Sequence, residues 1–487
     1  MRDLKATGKP SQKGTLARSA GLVFLVILLA GVLLALPSLN APFFWDDLHL
    51  IRIHTPAELA ASWTGTFDPD HIETAGLRPL TDYFNHFRAL AFGDSTTAHR
   101  IFLLVLFGIF LTLVGVLAHW FFDGGRVQLG LGGLLSLLHV YSAYHYFWIS
   151  DGIHLLTGIF ILLGALSFLE TLRAGRPAWL LLSALCTMLA LLTREDAIVL
   201  YPLLLYLGAG YLWLRRSERG SLAKLKPALA VFAAAMFLEL VTFWYWRSQV
   251  VPSAAPLAFD PLALGWAIGL TIQNVGGSQI LSNPWPVYGL LLVAWDIWLA
   301  VFLLVALLAL KRPAWYAALL WAGAILIGAL PTLAFARANL LLLPVAFWGL
   351  LVAKVLTEAW TSPGRPWMRG LVVALTAAAL ALPAYGTFAF ERELRSNNIN
   401  WMCRNADLLY GVVGNATIDP GVRDSVQADL SAYGIADLGS FQSRLPTLER
   451  KAQADSRYGF NEQGLPFLPR FQFLPQRGLH PHCEPPG

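Results

Sequence analysis

What this chain has least of is charge. Only 13% of its 487 residues are Asp, Glu, Lys or Arg, about half of the roughly 25% that a water-soluble domain carries to keep its surface hydrated. A soluble globular protein is thereby excluded, and the rest of the composition agrees: 56% of the residues are hydrophobic and the mean hydropathy is +0.57. The chain also has no P-loop and no Gly-rich dinucleotide fingerprint, which argues against ATP-driven transport and nicotinamide chemistry. No internal repeat is apparent. No small-residue cleavage site follows the first apolar run, which therefore reads as a retained anchor and not as a secretory signal. His49, His54 and His71 match no tight metal-ligand spacing and read as interface histidines.

What is present is a succession of apolar runs near the ~20 residues needed to cross a bilayer, about eleven of them. They are Ala20 to Leu36, Ile101 to Phe122, Val127 to Ile149, Leu155 to Leu172, Trp179 to Leu192, Ala197 to Leu214, Pro227 to Trp246, Val287 to Leu310, Ala314 to Leu333, Leu340 to Leu356 and Leu371 to Phe390. The expected fold is an all-α membrane protein, a polytopic helical bundle. Lysine and arginine resist translocation and accumulate in cytoplasmic loops. With the N-terminus inside, the inner segments hold Lys5, Lys9, Lys13 and Arg18, then Arg126, Arg173 and Arg176, the basic group from Arg215 to Lys226, Lys311 and Arg312, and Arg365 and Arg369. That pattern puts the C-terminus outside. The net charge of +5 is mostly this topological signal and not a nucleic-acid footprint.

Three regions follow: a cytoplasmic N-terminus (1–19), a membrane domain (20–390) whose first extracytoplasmic loop spans 37–100, and an extracytoplasmic tail (391–487). Within the first loop, Leu80, Phe84, Phe87 and Leu90 or Ala91 recur at helical spacing, as in an amphipathic helix lying in the membrane interface. In the tail, Cys403 and Cys483 face an oxidising compartment, and a disulfide between them would tie the Pro-rich end back to the last helix.

Charged residues gather at the outward ends of the runs. FFWDDLHLI, residues 43–51, sets Asp46 and Asp47 among aromatics; they are either solvated charges at a helix start or a site that uses negative charge. Asp151 and His154 lie in ISDGIH, Arg194, Glu195 and Asp196 in TREDA, Arg78 in the first loop, and Arg337 and Asn339 in FARANLLLLP. Together they make a rim of acids, which can act as bases or hold a metal, and of arginines, which bind phosphate bidentately. Glu239 and Asp296 lie inside apolar runs, about 12 to 14 Å below the outer surface at 1.5 Å per residue. Intramembrane acids are expected to line a cavity and not to face lipid.

FFWDDLHLI, followed by GLRPLTDYFNHFRALAFGDSTTAHRIFLLVLFGIF, resembles the start of the C-type integral-membrane glycosyltransferases. The likeness is to protein O-mannosyltransferases and the transmembrane-and-tetratricopeptide family. LLTREDAIVLYPLLLYL is similar to that family's basic-acidic pair before an apolar run with a proline, here Arg194, Glu195 and Pro202. The likeness covers about the first 215 residues; the tetratricopeptide tail is absent. It implies a C-type fold with interfacial helices in the first loop. It also implies transfer of a sugar from a polyprenyl-phosphate donor to an extracytoplasmic glycan, lipid or protein, in a cell-envelope membrane such as the bacterial inner membrane. Asp46 would be the base with Asp47 beside it, Asp151 the second-loop acid, and Arg78, Arg194 and Arg337 the phosphate ligands, although spacing to Pro344 favours Asn339 over Arg337. A divalent cation bridging Asp46, Asp47 and the phosphate stays open. The competing reading is a secondary transporter or lipid flippase that uses Glu239 and Asp296 as an ion relay, with Glu195 as a further cavity acid; it requires two related halves, which the sequence does not display.

Overall fold

Pro79 cannot donate a backbone hydrogen bond and disfavours helical geometry in the residue before it, so it suits the first position of a helix. Arg78 is correspondingly non-helical, and the helix runs Pro79–Phe92 until Gly93 ends it at φ +53°, a left-handed conformation that glycine adopts without strain. The computed structural model containing this helix describes residues 12–36, 38–41, 47, 50–51, 53–65, 76–93, 95–122, 126–139, 142–214, 224–251, 298, 300–308, 312–333, 338–361 and 367–388. Asp46, His49, His71, Asp296, Arg337, Cys403 and Cys483 lie outside them, so the expected disulfide does too.

All regular structure among the described residues is helical. In chain order the helices are α1 (Gln12–Ala35), α2 (Pro56–Ala61), α3 (Pro79–Phe92), α4 (Thr96–Phe122), α5 (Arg126–Leu137), α6 (Ser142–Phe147), α7 (Ile153–Ala174), α8 (Ala178–Thr193), α9 (Leu200–Leu214), α10 (Lys226–Val250), α11 (Arg312–Gly328) and α12 (Leu342–Thr361). Helical residues 300–308 lie between α10 and α11, and α13 (Trp367–Phe388) follows α12. Six helices among the described residues are long and apolar enough to cross a membrane: Thr96–Phe121, Ser150–Ala174, Glu195–Leu214, Lys226–Val250, Leu342–Thr361 and Trp367–Phe388. Gly21–Ala35, Ala178–Thr193 and Ala318–Gly328 are shorter apolar helices.

The expected run Val127 to Ile149 is not one helix. α5 stops at Leu137 because local polar groups offer its last carbonyls another arrangement: the Ser142 hydroxyl donates to Ser136 O (2.6 Å) and the Ser142 N–H to His139 O (2.8 Å). The chain then makes the short α6 and a turn before α7. The expected run to Leu333 likewise breaks at Gly328, and Leu330–Leu333 forms a single 3-10 turn around Pro331.

Burial is inverted relative to a water-soluble protein. Leu181 and Leu205 are 77% and 74% exposed, whereas Thr157, Ser167, Thr171, Ser183 and Thr187 are buried, the three threonines donating to a carbonyl one turn earlier on their own helix and Ser183 bonding across to α7. Helices approach closely at small residues, as membrane helices do where there is no water to squeeze out. A methyl added at Gly349 of α12 would come 2.6 Å from Gly132 O of α5. The Ser183 hydroxyl of α8 donates to Gly164 O of α7 at 3.0 Å. One core surrounds Phe107, Phe110, Leu162, Trp321 and Phe347; a second joins Phe302, Val355 and Met368.

α3 carries the same inversion. Thr81, Asp82, Asn85 and Arg88 are buried against the bundle, while Tyr83, Phe87 and Leu90 point away from it. The polar stripe is tied in, with Thr81 Oγ1 donating to Thr193 O at 2.8 Å. α3 thus bridges the first loop and the C-terminal end of α8, the end of the bundle where the acids gather.

Candidate functional site

The site is organised around residues 147–151, between α6 and α7. Asp47 lies in a helical turn, its carbonyl accepting from Ile51 N at 3.1 Å. Its fully buried carboxylate accepts a hydrogen bond from Ser150 N at 2.6 Å. Two buried arginines hold the same segment. Arg88 donates to Ile149 O and to Asn85 Oδ1, both at 2.6 Å, and lies over the Phe84 ring. Arg100 donates to Phe147 O at 3.0 Å and to Leu39 O and Ala41 O at the end of the first helix. A buried guanidinium is costly unless its donors are used and its charge is offset. Burial pulls Arg88 down to about 9, and the Asp47 charge opposes that shift.

This scaffold presents Asp151, which is buried between two imidazoles. His145 Nδ1 is 3.1 Å from its Oδ2 and His154 Nε2 is 3.2 Å from its Oδ1. The other ring nitrogen of His154, Nδ1, stands 3.9 Å from Asp196 Oδ2, and Asp196 Oδ1 pairs with Arg194 Nε at 2.9 Å. His154 and Asp196 line a small cavity of about 30 Å³ together with Thr157, Ile161, Val199, Pro331, Leu340 and Leu342. Its lining is polar at His154, Thr157 and Asp196 and apolar elsewhere.

Beside this lies a second group, centred on Glu195. Its Oε1 accepts from Leu77 N at 2.9 Å and from Arg247 Nε at 2.6 Å, and its Oε2 is 3.7 Å from Arg78 Nη2. One carboxylate thus serves two guanidiniums. Arg247 is positioned by the end of α10, where Trp246 stacks on Trp63 of the first loop with ring centroids 6.0 Å apart; Trp63 Nε1 donates to Tyr83 Oη at 3.2 Å.

No family model, curated protein or solved structure matches the chain. The functional reading therefore rests on the residues themselves. Asp47, Arg78, Asp151, Arg194 and Glu195, each singled out by sequence, come together at one end of the bundle. Asp46 and Arg337 lie outside the described residues. Glu239 does not join the cluster: it lies on α10, two turns before Arg247, about 12 Å along the axis at 1.5 Å per residue. Its Oε1 is buried without a hydrogen-bond partner among the described residues, and only Met236 and Phe243 of α10 are fully buried.

Sequence reasoning missed His145, Arg88, Arg100 and Arg247. His145 was hidden inside a run read as one continuous span, and Arg247 looked like an ordinary flank. Arg88 had a signal: Thr81, Asp82, Asn85 and Arg88 form a polar stripe at helical spacing. Among the described residues no three imidazole, thiolate or carboxylate groups form a set able to hold a metal ion.

Proposed function

We propose that this chain is a membrane glycosyltransferase that moves a sugar from a polyprenyl-phosphate donor to a hydroxyl-bearing acceptor on the extracytoplasmic side. The observation that carries the reading is the meeting of acids and arginines from separate segments at one end of the bundle, bordering a cavity whose lining is polar at His154, Thr157 and Asp196 and apolar elsewhere. A lipid-linked sugar phosphate has that polarity. Its phosphate is already a good leaving group, so the protein must position the two substrates, accept the acceptor's proton and stabilise the departing phosphate. Arg78, Arg247 and Arg194 supply planar, bidentate cationic donors for the phosphate. Asp47, committed to Ser150, serves to hold the loop; Asp46, the neighbouring first-loop acid, lies outside the described residues.

The helix ends support the proposed sidedness. Arg173, Arg176, Lys224 and Lys226 fall at the ends of α7, α8 and α10 away from the acids, as cytoplasmic residues would. Reporter fusions at Arg219 and Asp437 are expected to report opposite sides of the membrane; one side for both would reject the orientation. The activity is tested by incubating the purified, folded protein with a panel of polyprenyl-phosphate sugars and measuring release of free polyprenyl phosphate. Release is expected, with Arg78→Ala raising the donor KM. A folded protein that releases none from any donor rejects the reading.

A further inference from the structure

We infer that His154, oriented by Asp151, is the group that accepts the acceptor hydroxyl's proton; this assignment rests on the glycosyl-transfer reading. A neutral imidazole has one nitrogen that donates and one that accepts, and the partner of the first decides which is which. Nε2 faces the Asp151 carboxylate at 3.2 Å, and a carboxylate there favours the tautomer with the proton on Nε2 and Nδ1 bare. Nδ1 faces Asp196 Oδ2 at 3.9 Å, beyond hydrogen-bond length, and both residues line the cavity. A hydroxyl entering there meets both. Asp196 is held by Arg194 at 2.9 Å and serves to orient the hydroxyl. Asp47 is not part of the cavity wall. The arrangement has the logic of an imidazole base held in one tautomer by a buried carboxylate.

The step balances without a further reactant. The acceptor oxygen forms a bond to the anomeric carbon of the donor while the bond from that carbon to the phosphate oxygen breaks, its electron pair leaving with the phosphate. The acceptor's proton moves to Nδ1 of His154. The resulting imidazolium lies between Asp151 and Asp196, which offset its charge, with His145 behind Asp151 and Arg194 behind Asp196; among the described residues those four are the titratable and charged groups around it. His145 is a positioning residue: it occupies Asp151 Oδ2 at 3.1 Å and so fixes the direction of Oδ1.

The test uses full-length protein in nanodiscs with a polyprenyl-phosphate sugar and a hydroxyl acceptor, across pH 5 to 9. His154→Asn is expected to lower kcat by roughly 10² to 10⁴ with little change in donor KM, and to abolish the acid limb of the kcat/KM profile. His154→Gln is the second variant should Asn not fold, and added imidazole should restore turnover in His154→Ala, which a structural role would not allow. Wild-type turnover with an intact acid limb in a folded His154→Asn, with loss in Asp46→Asn, overturns the assignment in favour of Asp46. The dyad is judged separately by ¹⁵N magnetic resonance of histidine-labelled protein, the His154 signal assigned by its loss in His154→Asn. It should show the Nε2–H tautomer in wild type and lose it in Asp151→Asn. An Nδ1–H tautomer in wild type overturns the assignment whether or not a donor is found, whereas the correct tautomer without turnover on any donor counts against the glycosyl-transfer reading alone.

Discussion

The Asp47 carboxylate in the first loop accepts a hydrogen bond from the backbone N–H of Ser150, 103 positions further along the chain, at 2.6 Å. The bond fixes the loop that carries Asp151 to the loop that follows the first helix. It also puts a negative charge near Arg88, whose guanidinium is drawn down to about 9 by burial and partly restored by Asp47.

Two substitutions separate these roles. Asp47→Ala leaves the Ser150 N–H buried without its acceptor, a loss of about 1–3 kcal/mol, read as a lower midpoint of thermal unfolding in nanodiscs. Asp47→Asn keeps an acceptor and removes only the charge, so its loss should be smaller. The sign with pH follows from Arg88. Its depressed value means that the buried cation opposes folding below about 9, and the opposition fades as pH rises through that value. The deficit of Asp47→Asn relative to wild type should therefore shrink between pH 7 and 10. Equal deficits for both variants at all pH values would mean that neither the hydrogen bond nor the charge sets the cost.

Glu195 is the hinge of the arginine group, since Leu77 N, Arg247 and Arg78 all converge on it. Removing one carboxylate takes an acceptor from two guanidiniums and an amide. Glu195→Gln can still accept from Leu77 N but cancels the attraction, and a loss of about 1–3 kcal/mol is expected for a partly buried charge-assisted group. Arg247→Ala and Arg78→Ala should cost less stability, because Glu195 retains the other arginine. Comparing the three unfolding midpoints checks this order; a smaller effect for Glu195→Gln than for either arginine would contradict it.

Which loops meet could be read from the sequence, and the reason is topological. Basic residues fix the alternation of the spans, and alternation alone puts Asp47, Arg78, Asp151 and the Arg194–Asp196 segment at one end. The contacts within that end were not readable, because they depend on where runs break. The sequence from Val127 to Ile149 is apolar on both sides of the break, and the Ser136, His139 and Ser142 bonds that stop α5 carry no hydropathy signal. So His145 could not be placed beside Asp151. For α3 the amphipathic period was visible but not its direction: the same stripe fits an apolar face turned inward in water or outward in lipid.

His86 offers a pH test outside the membrane spans. Its Nδ1 accepts a hydrogen bond from His54 N at 3.0 Å, which protonation of Nδ1 would abolish, and burial lowers its affinity for a proton below the ordinary value of 6.5. A lowered histidine contributes stability that is full above 6.5 and is lost as pH falls through the lowered value. Thermal unfolding of wild type should therefore weaken between pH 7.5 and 5 by more than that of His86→Asn, which keeps an acceptor and does not titrate. Parallel pH dependences of the two proteins would remove His86 from the account.

The outward face of α3 gives the last prediction. Phe87 and Leu90 are 56% and 57% exposed, while the polar side chains of the same helix are buried. Exposing two such side chains to water would forgo roughly 1.5–3 kcal/mol each relative to burial, so lipid is the medium that makes the orientation favourable. A nitroxide on Phe87→Cys in nanodiscs should be more accessible to oxygen, which concentrates in acyl chains, than to a water-soluble nickel chelate, and the preference should reverse for a label on Glu58→Cys, whose side chain caps the exposed start of α2. Phe87→Lys should then loosen α3 from the membrane and from its bond to Thr193, lowering the unfolding midpoint more than Tyr83→Lys, because Tyr83 stands nearer the polar rim through its contact with Trp63. Nickel-dominated relaxation at position 87 would mean that this face meets water, and that α3 is held by its buried polar stripe alone.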